Sequence, residues 1–258
     1  MIKNGFLFSG LYLFAEAAQA SNVGESSLNL YKSLLKAIGF REELASVSAA
    51  LLTLIVCVTL GIYFRRTVLA RLQANNIAPD SRFSLLTAIE LVISFLHDLT
   101  HEQCGKSYKS YLPLIAGLFA FILVSNLIGL FPGFPPPTEN FSSNLAMGII
   151  VFLSYNWAGL KEHGGDYIKQ FTGPFLVLAP LFLLLETISH LARPLSLSFR
   201  LTANIFGDHL LLGIFSGLVP FLVPSFLLFF GLLVAVIQSF VFTMLASIYI
   251  NMAVSHDH

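Results

Sequence analysis

One stretch constrains this chain more than any other. Residues 186–209 read E-T-I-S-H-L-A-R-P-L-S-L-S-F-R-L-T-A-N-I-F-G-D-H, which places two carboxylates, two histidines and two arginines in a segment otherwise rich in Leu, Ile and Phe. An ionisable side chain at bilayer depth is costly, so it is rare and points to function by default. Charges at a helix end or in an extramembrane loop would snorkel to water. The apolar runs on both sides, 174–185 and 210–237, argue against such a loop.

The rest of the composition agrees with a lipid environment. Only 11 per cent of the 258 residues are charged and 56 per cent are hydrophobic, with 25 Phe; a soluble protein carries about 25 per cent charged residues. The chain therefore reads as a polytopic membrane protein, with residues 21–258 a single domain by length. A net charge of zero gives no basic field for nucleic acid. Cys57 and Cys104 form no disulfide framework and read as small residues.

Residues 1–20 have a charged start at Lys3, an apolar middle over 5–14 and the small-residue run A-E-A-A-Q-A. That layout is a bacterial signal peptide, and the apolar run is too short to span. A retained amphipathic anchor is the alternative. Beyond it, Leu28, Tyr31, Leu34 and Leu35 recur at a modest helical spacing. A first span is expected over 47–64, followed at once by Arg65, Arg66 and Arg71. The positive-inside rule puts those arginines in the cytoplasm and the N-terminus outside.

Over 82–101, Leu85, Ile89, Val92, Leu96 and Leu99 recur at helical spacing and leave Glu90, His97, Asp98 and His101 as a polar face. This is an interfacial amphipathic helix. His97 and His101 have a metal-ligand spacing, but with no third ligand nearby they read as solvated surface. A further span should open at Pro113 and stop at F-P-G-F-P-P-P (131–137), since proline suits a first turn and cannot continue a helix. The loop there has no Lys or Arg and belongs outside. A fourth segment covers about 142–160, and two long apolar stretches follow over about 174–218 and 221–250. The first of these is about twice the length a perpendicular crossing needs, so it either breaks or lies steeply tilted. The chain ends in H-D-H on the inside.

Taken as one helix at about 100 degrees per residue with Arg200 at zero, Arg193 falls at about 20 degrees, Glu186 and Asn204 at about 40, and His190 and Asp208 at about 80. These six form one stripe, with Gly207 on it, while His209 comes out near 180 degrees on the opposite face. Pro194, inside the pattern, should free a backbone carbonyl or kink the helix. Ser196, Ser198 and Thr202 are expected to bond carbonyls one turn back, and Asn126 and Asn156 to cap or bridge helices. A guanidinium does not lose its proton in proteins, so Arg200 can act only as a fixed positive field. Glu186, His190, Asp208 and His209 can take and release protons. An arginine divider between titratable groups is the chemistry of a proton path. The chain lacks a nucleotide-binding loop, a metal-ligand set and a nucleophile constellation. No cofactor and no ATP site of its own is therefore expected.

The motif R-P-L-S-L-S-F-R-L-T-A-N-I-F-G-D-H, with N-L-I-G-L-F-P (126–132) and I-Q-S-F-V-F-T-M-L-A-S-I-Y (237–249), resembles subunit a of the F-type ATP synthases from about residue 45 to the C-terminus. The resemblance implies a stator with two offset half-channels beside a rotating ring of c subunits, with a b-type peripheral stalk and the other synthase subunits as partners. It implies that Arg200 is the essential arginine facing the ring, that Asn204 and Gln238 are polar positions near it, and that Glu186 belongs to the cytoplasmic half-channel. His209 falls where bacterial relatives often have Glu and mitochondrial ones His. In the mitochondrial pattern that histidine has an acidic partner seven residues before the glutamine. Here that position is Gly231, which leaves Asp208 as a candidate acid. His190 is not a general feature of the family.

The expectation is an all-α polytopic transmembrane protein: about five membrane helices, one interfacial amphipathic helix and a long tilted final pair. It would translocate protons in a bacterial inner membrane, or an organellar one. A secondary transporter with a charged substrate site is the alternative, although such folds show internal repeats and paired broken helices, and no repeat is present.

Overall fold

The computed structural model describes residues 45–73, 85–104, 108–130, 136–164, 167, 179–218 and 222–254. The expected signal peptide, the pattern at 28–35 and the terminal H-D-H lie outside the described residues. Six long helices account for nearly all of the rest: α1 (Ala45–Gln73), α2 (Leu85–Cys104), α3 (Tyr108–Gly129), α4 (Phe141–His163), α5 (Ala179–Leu218) and α6 (Leu222–Val254). A short 3-10 turn, Pro137–Glu139, lies between α3 and α4. The all-α expectation holds.

Three segments are long and apolar enough to cross a membrane: Val47–Val68, Tyr108–Gly129 and Val223–Val254. Helices α4 and α5 interrupt their apolar character with the polar residues that build the site. The core is where α3 to α6 meet, and its residues recur at three- and four-residue steps on every helix: Ile115, Leu118 and Ile122; Met147, Val151, Tyr155 and Ala158; Leu197, Leu201 and Ile205; Phe242, Ala246, Ile250 and Ala253. Such a spacing gives each helix one face to pack. Helix α1 presents Leu51, Leu54, Ile55, Val58 and Ile62 outward, as a lipid-facing helix does. On α2 the buried positions are Leu96 and Thr100, and Cys104 Sγ lies 3.7 Å from Ser247 Oγ on α6. The His97 and His101 rings stack, with Tyr108 edge-on to both.

In lipid the hydrophobic effect does not drive one helix onto another, so close packing and polar contacts must. Gly148 supplies the first: a Cβ there would sit 2.6 Å from Ser198 Oγ and 2.7 Å from the Pro194 carbonyl oxygen. That space is what lets α4 cross α5 at this level. Several buried hydroxyls are satisfied within their own helices, as in Thr53 to the Ala49 carbonyl at 2.9 Å and Ser239 to the Ala235 carbonyl at 2.7 Å. Ser198 and Thr202 do the same, donating to the Pro194 and Ser198 carbonyls at 2.7 and 2.9 Å.

One expectation about boundaries needs correction. Pro113 does not open a helix: α3 starts at Tyr108 and carries the proline inside it. Of the two outcomes expected for the long polar-striped segment, a break or a steep tilt, there is no break. Helix α5 is continuous for 40 residues through Pro194. At a rise of 1.5 Å per residue that is about 60 Å, against a hydrocarbon core of about 30 Å. A helix of that length, apolar at both ends, has to lie inclined.

Candidate functional site

Helix α5 organises the polar groups because its packed face covers only part of the predicted stripe. Pro194, Leu197, Ser198, Leu201 and Ile205 are buried, which centres the packed side near Leu201, about 100 degrees from Arg200. Arg200 therefore lies at the edge and is exposed. The stripe divides: its arginine edge faces out of the molecule, and the rest turns into the bundle.

Arg200 makes no ion pair among the described residues. On the exposed side Leu195, Ser196 and Phe199 precede it and Ala203 follows, apolar except for the serine one turn back. On α6, Leu233, Val236 and Ile237 are exposed in the same way. One turn along, Asn204 donates to Gln238 Oε1 at 2.6 Å, which ties the two helices together beside the arginine. Gln238 is buried, and its amide nitrogen has no partner among the described residues.

Toward the start of α5 a second group forms. Glu186 and His190 meet at 3.3 Å, one turn apart. The other ring nitrogen of His190, Nδ1, lies 3.1 Å from the Tyr155 hydroxyl of α4, which is also 3.4 Å from the His190 carbonyl. That carbonyl is the one freed by Pro194, which has no N–H to give four residues on. The Arg193 guanidinium sits between two rings, 5.7 Å from the centroid of Tyr155 and 5.4 Å from that of Tyr249. Among the described residues, cation–π contact rather than a carboxylate holds it.

Beyond Arg200 in the other direction lies a cavity of about 280 Å³ between α3, α5 and α6. Asn126, Asn204, Asp208, His209 and Gln238 line it, as do Gly129 and Gly231. Its walls are mostly apolar, but it is large enough to hold water beside these polar side chains. His209 Nδ1 lies 3.8 Å from Glu139 Oε1 in the 3-10 turn. His209 stands about 180 degrees from Arg200 on α5, as the spacing implied, yet it shares the cavity with Asn204 and Asp208 of the stripe. The packed side of α5 is broad enough for Asn204, Asp208 and His209 to reach the same cavity.

The turn carrying Glu139 is fastened by buried polar groups. Thr138 donates to Asn126 Oδ1 at 3.0 Å, and the Asn144 amide donates to the Thr138 carbonyl and to Thr202 Oγ1, each at 2.7 Å. Asn126 bridges, as its sequence position suggested. Asn156 bonds back to the Phe152 carbonyl and accepts from the Tyr167 hydroxyl at 3.1 Å.

A protein-family profile described as ATP synthase A chain matches residues 47–251. The chain belongs to that family. It is 42 per cent identical over 231 residues to ATP synthase subunit a of Geobacter sulfurreducens, covering 90 per cent of this chain and 97 per cent of that one. It is 42 per cent identical over 183 residues to ATP synthase subunit a of Bdellovibrio bacteriovorus, covering 70 and 80 per cent. Against ATP synthase subunit a of Geotalea daltonii the identity is 48 per cent over 170 residues, covering 66 and 74 per cent. With its apolar helices and bacterial relatives, this member of the ATP synthase A chain family is a bacterial membrane protein whose partners are other ATP synthase subunits.

Of the residues singled out from sequence, the fold brings Glu186 to His190 and gathers Asn204, Asp208, His209 and Gln238 around one cavity, while Arg200 stands apart on the outer face. Sequence reasoning missed Tyr155, Glu139 and the aromatic pair around Arg193. Nothing local marks Tyr155, which falls on the core spacing of α4. Glu139 had one signal: it is the lone acid in a loop with no Lys or Arg.

Proposed function

We propose that this chain is the stator half of the proton path, giving protons access to a ring of c subunits through two half-channels separated by Arg200. The observation that carries this is an exposed guanidinium without an ion-pair partner among the described residues, set in an apolar surface. Such a charge in lipid costs several kcal/mol, roughly 2.5–3.5 on insertion scales, unless an opposite charge comes to it. A carboxylate on the ring is the fitting partner.

The cavity at Asp208 and His209 leads inward to Asn204 and Gln238, one turn from Arg200. A proton entering there neutralises a ring carboxylate, which can then face lipid. After rotation, the carboxylate meets the permanent charge of Arg200 and gives up its proton, because a nearby cation favours the ionised form. The proton leaves by Glu186 and His190. Arg200 itself never carries it. Arginines after the first span, and a turn at 131–140 without Lys or Arg, support an N-terminus outside, the Asp208–His209 cavity outside and a C-terminus in the cytoplasm of a bacterial inner membrane. A b-type stalk would bind elsewhere on the surface.

Arg200→Ala should abolish ATP-driven proton pumping in membranes while leaving the complex assembled. Pumping retained by the assembled variant overturns the assignment.

A further inference from the structure

We propose that Glu139 is the acidic partner of His209 in the outer half-channel, replacing from the loop the side chain that Gly231 cannot supply. The inference rests on the proton-path reading above. Gly231 is buried on α6, and a Cβ added there would sit 2.9 Å from Leu130 Cδ2. A carboxylate on α6 at this level would have to displace Leu130. The 3-10 turn brings one from the other side of the cavity.

Each element packed around His209 offers something different. On α5 there is Asp208, next in sequence. From α3 the main-chain oxygen of Gly129 faces the ring, and the titratable residues of that helix, Tyr108, Lys109 and Tyr111, lie at its far end. Helix α6 has a single titratable side chain, Tyr249, near its own far end. The turn alone brings a carboxylate across to the ring, with Oε1 3.8 Å from Nδ1.

The placement of Glu139 follows from the fold. Thr138 and Asn144 are fully buried, and their bonds to Asn126 and Thr202 tie the turn to α3, α4 and α5 at once. Glu139 and His209 are 37 and 36 per cent exposed, so the pair is open at one end while His209 reaches the cavity at the other. At 3.8 Å a modest side-chain rotation or one water passes a proton between them. The carboxylate collects a proton at the mouth, the imidazole takes it on its near nitrogen, and its other nitrogen hands one on to the water of the cavity.

The test uses membranes containing the whole assembled synthase, with proton pumping measured as the pH on the outer side is varied. Glu139→Gln should slow transport several-fold and move the pH–rate profile to lower outside pH, because a negative charge that draws protons to the mouth is gone. Glu139→Asp, one methylene shorter, should move it the same way by less. A Gln variant matching the parent in rate and profile overturns the proposal. A slower rate with an unmoved profile also overturns it, since that marks a contact which only holds the turn. Should the Gln variant not assemble, the Asp profile decides: displaced supports the proposal, superimposable on the parent sinks it. Arg200→Ala in the same membranes separates the two readings. If it still pumps, the proton path itself is misassigned; if it is dead and Glu139→Gln is unaffected, only Glu139 is.

Discussion

The Tyr155 hydroxyl has one proton and two acceptors within reach. When His190 is neutral and gives its Nε2 proton to Glu186, Nδ1 is an acceptor and the phenol donates to it. When both ring nitrogens carry protons, Nδ1 donates to the phenol, whose own proton then turns to the His190 carbonyl, to which Pro194 has no N–H to give. One rotor thereby satisfies both states of a buried histidine. Tyr155→Phe should remove this hydrogen bond, a net cost of about 0.5–1.5 kcal/mol. It should read out as a lower thermal inactivation midpoint of the assembled complex and slower pumping; an unchanged midpoint would show that the hydroxyl matters to neither state. His190, Pro194 and Arg200 were legible in the sequence because charge and proline contradict their apolar surroundings. Tyr155 and Glu139 were not, because each acts on a helix distant in sequence and looks ordinary where it stands.

At the level of elements, apolar runs marked the described long helices except α2, which helical spacing marked, but proline and glycine were harder to read. Proline at 113 suggested a helix start and proline at 194 a freed carbonyl or a kink, and both lie within continuous helices. In a packed membrane bundle, neighbouring groups can satisfy the carbonyl a proline releases, and Tyr155 does this for His190. Gly148 is the complementary case, a missing side chain that lets two helices approach. Gly148→Leu would drive a branched side chain into the Pro194 carbonyl and Ser198, backbone that α5 cannot easily move. Overpacking of this kind costs about 1–3 kcal/mol or more, and here it would also part the Asn144 contacts that hold the 3-10 turn. We expect a large loss of assembled protein in membranes, measured by immunodetection, with Gly148→Ala milder. Normal levels of the Leu variant would mean that the crossing is looser than its geometry.

For the whole molecule, the decisive asymmetry is between apolar surfaces that differ by one charge. Helix α1 turns Leu54 and Ile55 outward with no charge from Val47 to Phe64, and lipid is a sufficient neighbour. The α5 surface at Phe199 and Ala203 is equally greasy but holds Arg200, for which lipid is a poor neighbour. Under the proposed function, a ring helix bearing a carboxylate would satisfy both halves of that surface, its apolar side covering Phe199 and its acid meeting the guanidinium. Cysteine placed at Phe199 or Ala203 in the assembled complex should therefore cross-link to the acid-bearing helix of a small hydrophobic subunit, and cysteine at Leu54 or Ile55 should not. Capture from α1 with none from α5 would put the ring on the wrong side of this molecule. Arg200 would then need a counter-charge from somewhere other than the rotor, and a fixed counter-ion would cancel the field on which proton release depends.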